Sequence, residues 1–307
     1  MINNILLFVT NRCDLRCQHC IQGYPDKSSD FPIDLLEKLL LEALPFGVKH
    51  VGLTGGEPCM HPLFQKIVDT IVLYGYTWGF VTNGQRTEPY LTIMKLHRNE
   101  FKSVHLSIDS AKAKLHDEIR SKNGVYKKAI DSAKKYIDNG FSVWINSSLN
   151  RKNKTEIKEL IKLTEELGAI GIQFAGTIPN EQNQDLVLRD EEALSLYQEI
   201  ISFSNDVRIR IKTTSALYTH GGVHFCNSLD LNNISINSNG EMIFCCDTRQ
   251  DKAIIGSLWQ KSLSSLIQDR LEISAYLQKL RVGYIVDGRM EEGFDSCAFC
   301  NSHFPSP

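Results

Sequence analysis

Short apolar runs alternate with amphipathic segments over the first two thirds of the chain. Between the runs, segments such as Ile33–Leu44 and Thr155–Leu167 place apolar residues at helical spacing. Strands that alternate with helices predict parallel βαβ units, whose right-handed connections either curl the sheet into a barrel or leave it open and doubly wound. In both architectures the active site lies at the carboxyl ends of the strands. Six strands are predicted in this way: Ile5–Val9, His50–Leu53, Trp78–Thr82, Val104–Ile108, Val143–Leu149 and Ile170–Phe174.

The pattern changes after about residue 213. Residues 190–213 predict one more helix and strand. A β-hairpin is predicted next, with strands Ile234–Ile236 and Met242–Phe244 joined by the turn Asn237–Gly240. Two helical stretches follow, and the last cysteines lie in Cys297-Ala298-Phe299-Cys300. We therefore predict an α/β core over residues 1–213 and a small cysteine-rich domain over residues 214–307.

Composition and charge narrow the class of protein. The chain has 307 residues, of which 42% are hydrophobic, enough for a large core. Its formal net charge of −2 creates no general basic field, so we expect no nucleic-acid partner and no membrane-surface partner. The first apolar run, Ile5–Val9, is too short for a signal peptide or a membrane span. The expected location is the cytoplasm, where nine cysteines indicate metal ligands or redox chemistry rather than structural disulfides.

The first cysteine group follows the first predicted strand directly. Cys13, Cys17 and Cys20 lie within eight residues, and three thiolates on one loop can hold three irons of a [4Fe–4S] cluster. The fourth iron then stays open for a chelating cofactor, much as catalytic zinc sites keep one open position. A zinc site completed by His19 or another residue is the alternative, and the spacing alone leaves both open.

The C-x3-C-x2-C loop after the first strand resembles the signature of the radical S-adenosylmethionine (SAM) superfamily. The stretch Thr54-Gly55-Gly56-Glu57-Pro58, after the second predicted strand, resembles that superfamily's glycine-rich motif. The resemblance covers residues 3–176 and implies a partial (β/α)6 TIM-like barrel. It also implies SAM and a [4Fe–4S] cluster as cofactors, with a flavodoxin- or ferredoxin-type electron donor.

The resemblance further implies which residues contact SAM. The glycine-rich motif corresponds to the segment that meets the methionyl amine, Ser107 and Asp109 to a strand end that reaches the ribose, and Arg120 to an arginine at the carboxylate. As isolated residues, Asp109 is equally a helix cap and Arg120 a surface residue. The superfamily usually has an aromatic residue before the third cysteine, where this chain has His19. The expected SAM-binding residues are Gly55, Gly56, Glu57, Asn83, Ser107, Asp109 and Arg120.

Four cysteines in the C-terminal third are left to pair: Cys226, Cys245, Cys297 and Cys300. Four thiolates fit either a zinc site or a fully ligated [4Fe–4S] cluster. Gly240-x4-Cys245, Ile255-Gly256-Ser257-Leu258 and the final C-x2-C resemble the auxiliary-cluster extensions called SPASM and, in the shorter one-cluster form, twitch. The resemblance implies a twitch-type domain and a second [4Fe–4S] cluster held by these four cysteines.

Two cysteines remain. Cys59 is interpreted as a small apolar filler. Cys246 follows Cys245 on a predicted strand end, so the two side chains are expected to point in opposite directions, with Cys246 facing the barrel mouth. A buried thiol, an exchangeable ligand and a catalytic hydrogen-atom donor are the three interpretations of Cys246. The last resembles certain radical SAM epimerases, which donate hydrogen from a cysteine.

Members of the SPASM and twitch groups modify peptides or small natural products by epimerisation, crosslinking or alcohol oxidation. The resemblance therefore implies hydrogen abstraction from such a substrate by a 5′-deoxyadenosyl radical. The chain begins only twelve residues before Cys13, so no N-terminal peptide-binding domain is expected, which weakens a leader-dependent peptide. Oxidation of an aminocyclitol or sugar alcohol is the small-molecule alternative. A zinc-stabilised binding protein is the alternative from another class.

Overall fold

Parallel strands in chain order form the centre of the structure. The computed structural model describes residues 2–23, 27–203, 207–214, 217, 229, 231–247, 253–288 and 296–305. The first seven strands form six parallel pairs, each between strands that follow one another along the chain. These strands are β1 (Asn4–Thr10), β2 (His50–Gly55), β3 (Thr77–Thr82), β4 (Phe101–Ser107), β5 (Val143–Leu149), β6 (Gly171–Gly176) and β7 (Arg210–Thr213).

Three further strands extend the same sheet beyond β1. They are β8 (Asn233–Ile236), β9 (Glu241–Ile243) and β10 (Ile254–Ser257). Strand β8 pairs in parallel with β1, and β9 and β10 continue from it in antiparallel pairing. In the described part of the chain the strand order is β10-β9-β8-β1-β2-β3-β4-β5-β6-β7.

Helices connect the parallel strands and cover one face of the sheet. In α1 (Ile33–Ala43), the residues Ile33, Leu36, Leu40 and Ala43 recur at helical spacing and are buried. The other helices are α2 (Phe64–Leu73), α3 (Thr87–Leu96), α4 (Ala113–Ile119), α5 (Val125–Asp138), α6 (Ile157–Leu167), α7 (Asp190–Phe203), α8 (Leu263–Val286) and α9 (Ser296–His303). Among the described helices, including the 24-residue α8, none combines the length and apolarity needed to cross a membrane.

The two faces of β1 show how the sequence separates core from site. Ile5, Leu7 and Val9 have no solvent exposure and belong to the main hydrophobic core. Leu6 and Phe8 alternate with them and line a cavity on the other face. The sheet therefore carries a sealed apolar layer on its helix side and an accessible surface on its inner side.

The structure confirms the six predicted parallel strands, the extra helix and strand over residues 190–213, and the hairpin of β8 and β9. The short elements α4 and β10 were not predicted, because four to seven residues carry too little periodicity. The predicted boundary at residue 213 falls between β7 and β8. Because β8 pairs with β1, the strands of the C-terminal part extend the core sheet, and the division into two domains stays a prediction.

Candidate active site

A cavity of about 680 Å³ lies at the carboxyl ends of the parallel strands. Its wall includes residues from the ends of β1 to β6, the loop that carries Cys13, Cys17 and Cys20, and Cys246 with Asp247 from beyond β9. The volume is in the usual range of ligand pockets, about 300–1,000 Å³. Because six neighbouring strands contribute to one wall, the sheet curves around this cavity.

The cysteine loop is fixed by backbone hydrogen bonds from distant segments. The Gln18 amide donates to the Ile119 carbonyl over 2.9 Å, and the Asn180 side chain donates to the Cys20 carbonyl over 2.9 Å. Burial raises the pKa of all three thiols, that of Cys17 to about 12, and the thiols also oppose one another's ionisation. Bound metal ions deprotonate coordinating thiols outright, so three buried, protonated thiols on one cavity wall suit a metal cluster.

Glycine at positions 55 and 56 lets the end of β2 touch the backbone of the cysteine loop. A Cβ on Gly55 would lie 2.1 Å from the Thr10 carbonyl oxygen, and one on Gly56 would lie 2.1 Å from the Arg12 carbonyl oxygen. Gly55 also has a φ of +135°, a conformation that L side chains rarely adopt. The two glycines line the cavity, and their first role is to bring β2 against the loop.

Glu57 lies behind the cavity wall and joins three elements. Its carboxylate accepts hydrogen bonds from the Thr82 hydroxyl over 2.7 Å and the Asn83 amide over 2.9 Å, and it also contacts the Tyr90 hydroxyl. The residue has no solvent exposure, and this burial raises the pKa of Glu57 to about 7 in spite of these bonds. Glu57 therefore holds the end of β3 in position from within the protein.

Asp109 and Arg120 form a buried ion pair at the end of β4. Arg120 Nε donates to Asp109 Oδ2 over 2.8 Å, and Asp109 Oδ1 accepts from the Ser148 amide over 2.9 Å. Burial alone would raise the pKa of Asp109, but the charge of Arg120 holds it well below its usual range. Arg120 lines the cavity, whereas Asp109 lies behind it without solvent exposure. The interpretation of Arg120 as an exposed surface residue is wrong, since it is 5% exposed.

Several polar atoms near the cavity are buried without a partner in the described part of the chain. They are His19 Nδ1, Ser147 Oγ and Thr177 Oγ1, and all three residues line the cavity. Burial also lowers the pKa of His19, which keeps the ring neutral near pH 7. Buried polar groups are normally hydrogen-bonded, so these atoms favour a polar ligand. Three thiols, a buried cation and unsatisfied polar atoms on one wall fit a cluster together with SAM.

Of the expected SAM-binding residues, five line the cavity and two stand behind its wall. Glu57 and Asp109 are the two behind it, and the other five are Gly55, Gly56, Asn83, Ser107 and Arg120. Sequence reasoning missed the polar residues that β5 and β6 add to the wall. The available signal was a run of polar residues inside predicted strands: Asn146, Ser147 and Ser148 in β5 and Gln173 in β6.

The expected auxiliary-cluster cysteines are partly described. Cys226 lies outside the described residues. Cys245 and Cys300 both pack against a small apolar cluster of Leu229, Phe244 and Leu277. Cys297 lies one turn before Cys300 on α9, so the two side chains share one helix face. Cys59 packs against the main core, as its interpretation as an apolar filler requires.

Cys246 lines the cavity, but the reason given for its orientation is wrong. Strand β9 ends at Ile243, so Cys245 and Cys246 lie beyond it and do not alternate. The two sulfur atoms and a carboxylate oxygen of Asp247 all lie within 4.8 Å of one another. The Asp247 amide donates to Cys245 Sγ over 3.3 Å, and Cys246 Sγ donates to Asp247 Oδ1 over 3.8 Å. Burial raises the pKa of Asp247, a cavity residue that sequence reasoning also missed.

Comparison with known proteins identifies the family to which this fold and this cysteine-lined cavity belong. The model of the radical SAM superfamily matches residues 7–164, more than half of the chain. The protein therefore belongs to the radical SAM superfamily. The predicted family and the predicted partial barrel are confirmed, and family membership favours the cluster over zinc at the cysteine loop.

Individual relatives share the core. The antilisterial bacteriocin subtilosin biosynthesis protein AlbA of Bacillus subtilis is 27% identical over 188 residues, which are 60% of this chain and 42% of AlbA. An AdoMet-dependent heme synthase of Methanosarcina barkeri is 26% identical over 215 residues, 68% of this chain and 60% of that protein. The chain thus spans about half the length of these curated relatives.

Solved structures share the fold at low sequence identity. Streptococcus suis SuiB bound to S-adenosylmethionine superposes with a TM-score of 0.73 at 17% identity, covering 87% of this chain and 65% of SuiB. SuiB bound to its precursor peptide SuiA gives a TM-score of 0.72. Most of this chain therefore shares its fold with SuiB.

Proposed function

We propose that this radical SAM enzyme acts on a peptide and returns a hydrogen atom to it from Cys246, inverting a carbon centre. The observation that carries the proposal is the position of Cys246 in the wall of the cavity that Cys13, Cys17, Cys20 and Arg120 also line. A hydrogen donor must share a cavity with the group that creates the substrate radical. Peptide modification is supported by the relatives, since AlbA is named for bacteriocin biosynthesis and SuiB for binding a precursor peptide.

We assign the cofactor-binding residues as follows. Cys13, Cys17 and Cys20 hold the catalytic [4Fe–4S] cluster, and Gly55, Gly56, Asn83, Ser107 and Arg120 contact SAM. Glu57 and Asp109 support these contacts from behind, through Asn83 and Arg120 respectively. The bound cluster and SAM supply a 5′-deoxyadenosyl radical that removes hydrogen from a substrate C–H bond. Cys226, Cys245, Cys297 and Cys300 hold the auxiliary [4Fe–4S] cluster.

Hydrogen return balances as two atom transfers. The substrate carbon gives one hydrogen atom to the 5′-deoxyadenosyl radical, which becomes 5′-deoxyadenosine, and takes one from Cys246 on the opposite face. Its composition is unchanged while its configuration inverts. A thiol suits this step because its S–H bond is weaker than most C–H bonds. The sulfur radical left on Cys246 regains its hydrogen as one electron and one proton. The electron comes from a flavodoxin- or ferredoxin-type donor in the cytoplasm, where we locate the enzyme.

Oxidation is the second candidate reaction. Cys245 and Cys300 pack against the same group of apolar side chains. Because Cys245 precedes Cys246 directly in the chain, an iron–sulfur cluster held by Cys245 and Cys300 would lie close to the substrate. A cluster in that position can accept the second electron of a two-electron oxidation. The substrate is then a small molecule such as an aminocyclitol or sugar alcohol. The relationship to a heme synthase, whose name implies a small-molecule product, supports this candidate.

One assay distinguishes the two reactions. Anaerobically reconstituted protein receives SAM, dithionite and a pool of capped random hexapeptides in deuterated water, and mass spectrometry follows the peptides. Hydrogen return predicts peptides that carry one solvent deuterium on carbon. The Cys246→Ala variant is expected to form 5′-deoxyadenosine but no deuterated peptide, while Cys59→Ala, the control thiol change, keeps both. A parallel reaction replaces the peptide pool with aminocyclitols and sugar alcohols. Wild-type products that have lost two hydrogens, in either reaction, would contradict hydrogen return and favour oxidation.

A further inference from the structure

Asp247 follows Cys246 in the chain and lies beside it in the cavity wall. Its Oδ1 lies 3.8 Å from Cys246 Sγ, and both residues line the cavity. Its backbone amide is bound to Cys245 Sγ over 3.3 Å, which fixes the position of the residue between the two thiols. The carboxylate is thus anchored through its main chain and presents its side chain to the place where Cys246 must meet a substrate.

The carboxylate of Asp247 is incompletely satisfied. A carboxylate has two oxygens with about four acceptor positions. In the part of the chain that the structure describes, the thiol of Cys246 is the one side-chain partner of these oxygens, and no lysine, arginine or histidine pairs with them. Thiols are weak donors. As far as the described residues are concerned, this half-buried carboxylate in a ligand cavity therefore has acceptor capacity available to a bound molecule.

The position of the Asp247 carboxylate relative to Cys246 Sγ determines which atom of a substrate it can bind. A carbon that takes hydrogen from Cys246 must approach Sγ to contact distance, roughly 3.5–4 Å. Oδ1 is 3.8 Å from the same sulfur, so a nitrogen bonded to that carbon can come within hydrogen-bond distance of Oδ1 when the carbon approaches from the Asp247 side. The α-carbon of a peptide residue carries such a nitrogen, with one N–H that can donate to a carboxylate.

We propose that the Asp247 carboxylate accepts the backbone N–H of the substrate residue whose α-carbon takes hydrogen from Cys246. This inference rests on the proposed function and deepens it, because it defines the substrate class at the reacting position. A residue with a free backbone N–H is accepted, whereas proline or an N-alkylated residue is rejected. The hydrogen bond also turns the α-carbon so that the face opposite abstraction meets Cys246.

The test uses the deuterium assay with three variants. Asp247→Ala removes the acceptor, and Asp247→Asn keeps its shape with a weaker acceptor. The control is Asp269→Asn, the same chemical change at a residue of α8 that forms a surface ion pair with Lys261. Peptide fragmentation first locates the deuterated residue in a wild-type product. That peptide is then remade with a single N-methyl group on the same residue, and both forms are offered to all four proteins.

We expect the effect of the Asp247 substitution on the labelling rate to depend on whether the substrate residue has a free backbone N–H. The wild type and Asp269→Asn should label the N-methyl peptide at least about tenfold more slowly than the parent, the loss of one charge-assisted hydrogen bond. Asp247→Ala should label the parent at that same slow rate and show no further loss with the N-methyl peptide, because both changes remove one contact. Asp247→Asn should fall between. Iron content and dithionite-driven formation of 5′-deoxyadenosine without peptide should be unchanged in Asp269→Asn. For the Asp247 variants the readout is the ratio of the two labelling rates within each protein.

One result would overturn the inference while leaving the proposed function intact, namely equal discrimination against the N-methyl peptide by the wild type and Asp247→Ala. A wild-type enzyme that cleaves SAM but deuterates no peptide of the pool would instead overturn the proposed hydrogen return to a peptide. Absence of 5′-deoxyadenosine in the reconstituted wild type would overturn the radical chemistry as well.

Discussion

Arg120 donates from Nε to Asp109 Oδ2 over 2.8 Å, and the two side chains are 6% and 0% exposed. A guanidinium buried beside a SAM-sized cavity thus carries its own counter-ion. The pair keeps Arg120 charged and oriented while part of its donor fork remains available to a carboxylate ligand.

Arg120→Ala is expected to have two separable effects. Loss of a charge-assisted contact should weaken SAM binding by roughly 1.5–3 kcal/mol, measured by calorimetry on reconstituted protein. Removal of one partner of a buried pair should also destabilise the fold by roughly 3–5 kcal/mol. Arg86→Ala, which breaks the exposed pair with Asp14, is the control and should change stability by at most about 1 kcal/mol. Unaltered SAM affinity in Arg120→Ala would contradict a role at the SAM carboxylate.

Glu57 predicts a pH dependence of stability. Burial raises the pKa of Glu57 to about 7, from 4.5 for an ordinary glutamate. A raised pKa means that the folded state binds a proton more tightly than the unfolded state. Stability from this group is therefore full below about pH 4.5 and falls as the pH rises towards 7, by roughly 2–4 kcal/mol in total.

Glu57→Gln should remove this fall. Its amide can accept from the Asn83 backbone and donate to the hydroxyls of Thr82 and Tyr90, which rotate to accept. Thermal unfolding at pH 5.5 and pH 8 should show the wild type losing stability relative to Glu57→Gln as the pH rises. Glu88→Gln, at an exposed ion pair with Lys135, is the control and should follow the wild type. Parallel curves for Glu57→Gln and the wild type would show that Glu57 is ionised in the folded protein.

Gly56→Ala tests the contact between β2 and the cysteine loop. The added Cβ would lie 2.1 Å from a backbone carbonyl, so the loop must move. We expect the variant to lose most of the iron held by Cys13, Cys17 and Cys20, measured by iron analysis after reconstitution. Gly283→Ala is the matched control, because its Cβ on α8 meets nothing within 4 Å. Normal iron content in Gly56→Ala would mean that the loop accommodates a methyl group without losing its ligands.

The auxiliary cluster predicts an iron count. Two cubane clusters hold about eight irons, so Cys297→Ala/Cys300→Ala should retain about four. Because ligation also stabilises folding, protease sensitivity in the C-terminal part should rise. SAM cleavage at the first cluster should survive, since its three cysteines lie elsewhere. A full iron complement in this double variant would show that neither cysteine is a ligand.

Local spacing predicted the parts of the site that depend on neighbouring residues. The cysteine loop and the glycine motif are continuous segments at strand ends, so strand order alone brought them together. The orientation of Glu57 could not be predicted in this way. Its partners Thr82 and Tyr90 lie 25 and 33 residues further along the chain, and their contact with Glu57 depends on how two later elements pack.

The residues beyond β9 show a second limit of sequence reasoning. Alternation along a strand was assumed for Cys245 and Cys246, yet β9 ends at Ile243 and the chain turns there. Asp247 therefore reaches the cavity by a turn that no periodic pattern records. Similarly, the polar residues of β5 could be assigned to the site only once the curvature of the sheet was known.

The central claim is that Cys13, Cys17 and Cys20 hold the cluster that cleaves SAM. The most direct measurement is the amount of 5′-deoxyadenosine formed by anaerobically reconstituted protein with SAM and dithionite. The account predicts formation by the wild type and none by the Cys13→Ala/Cys17→Ala/Cys20→Ala variant, which should keep about four irons in its auxiliary cluster. Wild-type levels of 5′-deoxyadenosine from that triple variant would contradict the account.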